Sequence, residues 1–211
     1  MIIAIDGPTA SGKGTIAKRV AEHYGLKRLD TGALYRAVAL ALLDAGADPA
    51  DRAAAVRAAE TLDPAAIDEY RIRSAQVGYA ASIVAAMNEV REALRQLQLR
   101  FAADPAGAVL DGRDIGTVIC PNADVKLFVT ASLPERARRR WLELEARGEP
   151  TDLEALTAQI EARDQRDMNR PISPLVQAPD AHLLDTTGLT IDEAVAAARR
   201  IIDAAVQRTR A

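Results

Sequence analysis

The stretch Gly7-Pro8-Thr9-Ala10-Ser11-Gly12-Lys13-Gly14-Thr15 follows a short apolar run at the start of the chain. Its glycines and lysine fit the spacing G-x-x-x-x-G-K, which is typical of a phosphate-binding loop between a strand and a helix. Such glycines let backbone N–H groups turn toward phosphate oxygens, and the helix amino terminus adds partial positive charge. We therefore predict that all nine residues bind nucleotide phosphates, with Lys13 reaching the β- and γ-phosphates. A chance glycine-rich turn is the alternative, which the strand and helix context disfavours.

The metal-binding part of this loop departs from the usual pattern. Gly14 follows Lys13 where Ser or Thr is common, and the hydroxyl comes one residue later at Thr15. A direct hydroxyl ligand to Mg²⁺ is therefore in doubt, and an acid should hold the metal or its waters. Asp111 fits this role because it ends the apolar run 108–110. The alternative is that Asp111 only caps a helix or turn.

The composition indicates a globular protein with a real core. The chain has 211 residues, of which 49% are hydrophobic, and no apolar run approaches the ~18–20 residues of a membrane span. The net charge of −3 argues against a nucleic-acid partner. No secretory signal is recognisable, and Cys120, the one cysteine, cannot form an internal disulfide, so the cytoplasm is the expected location. We expect a monomer with no membrane partner.

Strands and helices alternate along the chain. Short apolar runs predict strands over residues 1–6, 26–30, 108–111, 124–130 and 181–185, and helical spacing between them is strongest over residues 81–101. This pattern predicts an α/β fold, specifically a three-layer P-loop kinase fold with a five-stranded parallel sheet flanked by helices. We predict one domain over residues 1–211, with a helical acceptor-binding region at 44–103 and a lid region at 147–170.

Capping signals predict where several helices begin. Thr31 is predicted to be the N-cap of the helix after the second strand. Three capping boxes announce later helices: Ser132…Glu135, Thr151…Glu154 and Thr190…Glu193.

The turns after the first three strands each carry an acid and a glycine. They read Asp6-Gly7, Asp30-Thr31-Gly32 and Asp111-Gly112. Ligands of open parallel sheets bind at the carboxyl ends of the strands, so all three turns should share one edge. Tyr35 and Arg36 follow one helical turn later. Arg36 could hold a second phosphate or could lie on the surface.

The third of these turns continues as Arg113-Asp114 and packs an arginine between two acids. Arg113 could bind an acceptor phosphate. Asp114 could accept a hydrogen bond from an exocyclic amine, which would select the N4 amine of cytosine over the O4 carbonyl of uracil. The uracil analogue would leave a buried acid facing an acceptor, which is a costly mismatch.

Two arginine-rich stretches could face the same ligand. On a helix, Arg163, Arg166, Asp167 and Arg170 would share one face, either as a solvated salt-bridge ladder or as a mobile lid that brings arginines to the migrating phosphoryl group. The run 135–140 favours an exposed helix face, with a helix facing the nucleotide as the alternative. Arginine far outnumbers lysine, which a GC-rich genome or phosphate binding would explain.

The four motifs together resemble the bacterial cytidylate kinases over nearly the whole chain. They are the phosphate loop, Asp30-Thr31-Gly32-Ala33-Leu34-Tyr35-Arg36, Asp111-Gly112-Arg113-Asp114-Ile115-Gly116-Thr117-Val118, and Arg163-Asp164-Gln165-Arg166-Asp167-Met168-Asn169-Arg170. The second and third motifs are specific to that family. The resemblance implies Mg²⁺-dependent transfer of the ATP γ-phosphoryl group to CMP or dCMP.

The resemblance also implies roles for individual residues. Thr31, Arg91, Asp114 and Arg170 would read cytosine, with Tyr35 beside them. Ser82, Arg163 and Asp167 would contact the sugar, and Arg36 and Arg113 would hold the acceptor phosphate. Lys13 and the arginines at 113, 163, 166 and 170 would neutralise the moving charge.

One feature departs from the family. Its usual acceptor-side insert carries a small antiparallel sheet, whereas residues 63–73 are short and show little strand alternation, so closure over CMP could differ. Two other functions stay open on the residues alone. One is a P-loop kinase with another small acceptor, such as shikimate or UMP. The other is a nucleotide-dependent switch, although the Asn-Lys-x-Asp base reader of such proteins is absent.

Overall fold

A computed structural model describes residues 1–210 of the chain and the side chains of residues 1–208. Five strands form one all-parallel sheet in the order β2-β3-β1-β4-β5. The strands are β1 (Ile2–Asp6), β2 (Lys27–Asp30), β3 (Ala108–Gly112), β4 (Val125–Thr130) and β5 (His182–Asp185). The predicted α/β fold is confirmed, and four of the strands begin one residue later than the apolar pattern predicted.

The central strand is β1, which pairs with β3 on one side and β4 on the other. In register, Ile5 lies opposite Asp111 of β3 and Leu127 of β4. The run Ile2–Asp6 is almost wholly buried, as expected for a parallel strand covered on both faces. The connection after β1 leads toward β2, and the connection after β3 leads to β4 on the opposite side. The carboxyl ends of β1 and β3 therefore form a switch point, where a crevice is expected.

Eight helices surround the sheet within residues 1–210. They are α1 (Lys13–Tyr24), α2 (Thr31–Asp44), α3 (Arg52–Glu60), α4 (Ala75–Val84), α5 (Asn88–Ala102), α6 (Leu133–Ala146), α7 (Leu153–Met168) and α8 (Ile191–Arg210). Short 3₁₀ turns at Pro64–Ala66 and Arg71–Arg73 fill the segment before α4, where the sequence predicted no strand. A π-turn, Ile115–Ile119, follows β3. No helix in this described part has the length and apolar character needed to cross a bilayer.

Apolar side chains form separate clusters around the sheet. Helices α1 and α8 cover one face, where Ile16, Val20 and Ile202 are buried. On the other face the π-turn packs against β3, and α2 to α5 enclose a core of their own around Leu34 and Leu94. The pair α6 and α7 shares only a small cluster.

The helical spacing predicted over residues 81–101 contains a break, because α4 ends at Val84 and α5 begins at Asn88. No Gly or Pro marks this break in the sequence. The carbonyl of Ala85 instead accepts bonds from Arg91 Nη1 at 3.3 Å and Arg170 Nη1 at 3.4 Å. One guanidinium group from α5 and one from beyond α7 thus bind a carbonyl that an unbroken helix would have used.

Only one of the four predicted helix caps forms as expected. Thr190 and Glu193 make the reciprocal bonds of a capping box before α8. The N-cap of α2 is Asp30, whose carboxylate accepts from Ala33 N at 3.0 Å, so Thr31 is the first helical residue. Asp152 likewise replaces Thr151 before α7. Ser132 precedes α6 without a side-chain cap bond, and the Glu135 carboxylate binds Arg138 and Arg139.

Candidate active site

A cleft of about 990 Å³ opens at the carboxyl edge of the sheet. The turns after β1, β2 and β3 meet there, as predicted. Thr31 Oγ1 donates to the carbonyl of Asp111 at 2.9 Å. The Asp6 carboxylate accepts from the backbone N–H groups of Ile115 at 2.8 Å and Gly116 at 2.7 Å. These bonds tie the turn after β2 to the end of β3, and the end of β1 to the turn that follows Arg113 and Asp114.

The predicted phosphate loop has the backbone that a cradle requires. Residues 9–15 line the cleft, while Gly7 and Pro8 lie outside its lining. A Cβ on Gly7 would lie 1.9 Å from the Val129 carbonyl oxygen, and its φ of 151° is strained for any other residue. Gly12, with a φ of 88°, precedes the first residue of α1. Lys13 Nζ donates to the Pro8 carbonyl at 3.1 Å, which holds the lysine along the loop.

Two partly buried cations in the cleft, Lys13 and Arg163, lack a carboxylate partner among the described residues. Burial, and then the nearby Arg113, lowers the pKa of Lys13 to about 7 and the pKa of Arg163 to about 10. The Nε of Arg163 is buried and has no hydrogen-bond partner in the described structure. Leaving a cation poorly solvated and unpaired is unfavourable, so these groups favour an anionic ligand.

The predicted acceptor-binding residues meet at the opposite end of the cleft. Arg91 Nη2 lies 2.5 Å from Asp114 Oδ2, and both side chains are buried. Arg91 also lies 5.5 Å from the ring centre of Tyr35. Arg113 Nε donates to Asp167 Oδ2 at 2.8 Å, which joins the turn after β3 to α7.

Two arginines of the fourth motif depart from the predicted arrangement, Arg170 by its place outside α7 and Arg166 by its place outside the cleft lining. Because α7 ends at Met168, the prediction that Arg170 shares its face is wrong; Arg170 lies beyond the helix, buried, and donates to the Ser173 carbonyl at 2.7 Å. Arg170 nevertheless lines the cleft. Arg166 is absent from the lining and donates to Ser82 Oγ at 3.0 Å.

The arginine run of α6 supports the phosphate loop, contrary to the favoured prediction of an exposed face. Arg136 is buried, lies 2.6 Å from Asp164 Oδ2 and donates to the Thr9 carbonyl at 3.3 Å. Arg139 donates to Thr186 O at 2.7 Å and reaches the Ser11 carbonyl at 3.5 Å. Only Arg138 of this run has a side chain more than half exposed.

Arg28, which no sequence motif indicated, pairs with Asp111. The Nη2 of Arg28 lies 2.9 Å from Asp111 Oδ1. Arg28 and Asp30 are two residues apart on β2, and strand alternation therefore places both on one side. Burial, and then the neighbouring Asp30, raises the pKa of Asp111 to about 6 although Arg28 acts in the opposite direction. Asp30 itself pairs with Arg36 Nη2 at 2.7 Å.

The residues present fit Mg²⁺ only as a partner of bound phosphates. The described residues contain no group of three or more His, Cys, Asp or Glu side chains able to hold a metal. Asp111 Oδ2 lies 3.8 Å from the position that a Cβ on Gly14 would take, so one carboxylate faces the loop. One carboxylate with nucleotide phosphates and waters is a donor set that suits Mg²⁺.

The comparison with known families covers nearly the whole chain. Residues 3–204 match the family model described as cytidylate kinase. The chain belongs to the cytidylate kinase family. A cytidylate kinase from Bradyrhizobium sp. strain ORS 278 is 59% identical over 97% of this chain and 96% of its own length. Another, from Nitrobacter winogradskyi, is 58% identical over 96% of each chain.

Membership in the cytidylate kinase family makes this chain a phosphoryl-transferring enzyme of the nucleoside monophosphate kinase class. A solved protein from Eubacterium ventriosum ATCC 27560, described as uncharacterized, aligns with a TM-score of 0.58. It is 17% identical and covers 97% of this chain and 98% of its own, so the likeness concerns the fold alone. The sheet and helix arrangement that presents the cleft therefore extends to distant sequences.

Proposed function

We propose that this chain transfers the γ-phosphoryl group of ATP to CMP or dCMP, giving ADP and CDP or dCDP. One observation carries the proposal. A single cleft joins a glycine-rich loop with the unpaired cations Lys13 and Arg163 to the buried pair of Arg91 and Asp114. The first part suits phosphates, and the second suits a base that has both donor and acceptor edges.

The donor side would be the loop of residues 7–15. Its backbone N–H groups and the amino terminus of α1 would bind the ATP phosphates, and Lys13 would reach the β- and γ-phosphates. When bound, Mg²⁺ would supply charge neutralisation to the phosphate groups. Asp111 would hold it, directly or through water.

The acceptor side would read cytosine through complementary edges. Asp114 accepts from the N4 amine, while Arg91 donates to the acceptors beside it. Thr31 and Arg170 would complete the base contacts beside Tyr35. Ser82, Arg163 and Asp167 would contact the sugar, and Arg36 and Arg113 would hold the acceptor phosphate.

Transfer would proceed in line, with positioning and charge neutralisation supplying most of the rate. Lys13 and the arginines at 113, 163, 166 and 170 would balance charge on the moving phosphoryl group. The acceptor phosphate is already an anion, so no strong general base is needed. Residues 44–103 would form the acceptor region and residues 147–170 the lid of one domain.

Steady-state assays with CMP, dCMP, UMP and AMP test the acceptor. We expect CMP and dCMP to exceed UMP and AMP in kcat/KM, because uracil presents an acceptor to Asp114. Lys13→Met and Arg113→Ala should each lower kcat by about 10²-fold or more. A preference for UMP, or near-native turnover in either folded variant, would contradict the proposal.

We also propose that the enzyme acts as a monomer in the cytoplasm. All predicted substrate contacts come from one chain, and the lone Cys120 suits a reducing compartment. Light scattering at assay concentrations would measure the oligomeric state, and a dimer would contradict the first part.

A further inference from the structure

Arg28 occupies a position in the cleft to which neither the motifs nor the family comparison assigns a role. It lies on β2, and its side chain is 23% exposed. Its Nε and Nη2 lie 3.0 and 2.9 Å from Asp111 Oδ1, and Nη2 lies 3.8 Å from Asp30 Oδ2. The guanidinium group thus engages Asp111 with two nitrogens, while Asp30 stays with Arg36.

The same guanidinium group stands beside the gap left by Gly14. A Cβ on Gly14 would lie 3.5 Å from Arg28 Nη2 and 3.8 Å from Asp111 Oδ2. Phosphate loops usually carry Ser or Thr at the position of Gly14, and the hydroxyl of that residue binds the metal. In this chain a fixed cation on the neighbouring strand borders the place from which that hydroxyl would project.

The charges at the carboxyl edge of the sheet show what the Arg28 cation does for Lys13. Lys13 interacts electrostatically with both Asp111 and Asp30. Arg36 already neutralises Asp30, and Arg28 neutralises Asp111. Without Arg28, Lys13 would be the main remaining cation that acts on Asp111, and its charge would be less available to phosphate. Once phosphate binds Lys13, the Asp111 carboxylate would be left without a cation and would attract a divalent ion more strongly.

We propose that Arg28 is a positioning residue that neutralises Asp111, keeps Lys13 available to the nucleotide phosphates and lowers the affinity of this edge for divalent cations. The site would thereby bind a metal-free nucleotide with high affinity. The inference rests on the proposed function in one respect, because it requires that the cleft bind nucleotide phosphates.

Three substitutions separate the charge of Arg28 from its packing. Arg28→Leu removes charge and hydrogen bonds, Arg28→Gln keeps a donor without charge, and Arg28→Lys keeps the charge without the fork. Arg52→Leu is the matched control, because it removes an exposed ion pair with Glu89 outside the cleft lining. Gln keeps much of the Arg side chain, so the test does not depend on the Leu variant folding.

The measurements are ADP affinity in EDTA by calorimetry and Mn²⁺ affinity of the protein–ADP complex by electron paramagnetic resonance, after melting curves confirm folding. The Leu and Gln variants should bind metal-free ADP about tenfold more weakly and Mn²⁺ several-fold more tightly. Arg28→Lys should restore most of the ADP affinity, and Arg52→Leu should match the wild-type protein in both affinities. A folded Gln variant with wild-type affinities for both would overturn the proposal. Wild-type protein that binds ADP but does not phosphorylate CMP would contradict the proposed function instead.

Discussion

At the scale of single residues, the protonation of Lys13 should make nucleotide binding depend on pH. Burial, and then Arg113, lowers its pKa to about 7, against 10.5 ordinarily. Between these values the unfolded chain holds a proton that the folded chain lacks, so this residue's contribution to stability rises with pH. Bound phosphate favours the charged lysine, and ADP binding at about pH 8 should therefore take up close to one proton.

Calorimetric titrations in buffers of different ionisation enthalpy would measure this uptake. Lys13→Met should abolish it, whereas Lys18→Met, which alters an exposed lysine of the cleft lining, should leave it intact. Binding at pH 8 without net proton uptake would contradict the lowered pKa of Lys13.

Residue-level prediction placed side chains in the cleft where the sequence pattern is local, and it missed a side chain whose partner depends on strand order. Lys13 and Asp114 were found because the chain around them has a specific pattern. Arg28 was missed because its partner, Asp111, lies on β3, and nothing in the sequence says that β3 is inserted between β1 and β2. An arginine on a strand reads as an ordinary surface residue until the neighbouring strand is known.

At the scale of helices, Thr190 before α8 should stabilise the protein more than Thr151, the corresponding residue before α7. Thr190 and Glu193 exchange bonds, whereas α7 is capped by Asp152 through Ala155 N at 2.8 Å. Thr190→Ala should lower the free energy of unfolding by about 1 kcal/mol, and Thr151→Ala by much less. Urea unfolding would compare them, with Asp152→Ala expected to behave like Thr190→Ala. Equal losses at positions 151 and 190 would contradict the assignment.

Helix positions followed from apolar spacing, but helix ends did not. The buried faces of α1 and α2 were predictable from the sequence because burial follows a 3.6-residue period. The break after α4 was not, since its freed carbonyl at Ala85 is bound by Arg91 and by Arg170, which is 85 residues away. Competition between adjacent cap candidates, such as Asp30 and Thr31, is likewise settled by tertiary contacts. Here the Thr31 hydroxyl donates to the carbonyl of Asp111.

At the scale of the whole molecule, α6 and α7 are joined to the rest of the enzyme largely by polar contacts. Their own cluster has four buried members, Ala137, Leu144, Leu156 and Ile160. Their bridges to other elements are ionic or hydrogen-bonded. These include Arg136 to Thr9, Arg113 to Asp167, Arg140 to Arg73, Arg147 to Tyr70 and Arg166 to Ser82. A unit held in this way should open at a lower free energy than the sheet, and its contacts should respond to salt and to bound anions.

Hydrogen exchange resolved by segment would test this expectation. Amides of α7 should exchange faster than those of β1 and α1 in the free enzyme, and raising salt from about 0.05 to 0.5 M should widen the difference because bridging charges are screened. ADP and CMP together should slow α7 more than α8, since anionic ligands would bind Arg163 and Arg113 between the two parts. Arg166→Gln, which weakens one bridge to Ser82, should speed exchange in α7 and leave β1 unchanged. Exchange in α7 as slow as in β1, and indifferent to both salt and ligands, would mean that the small apolar cluster alone holds this pair of helices in place.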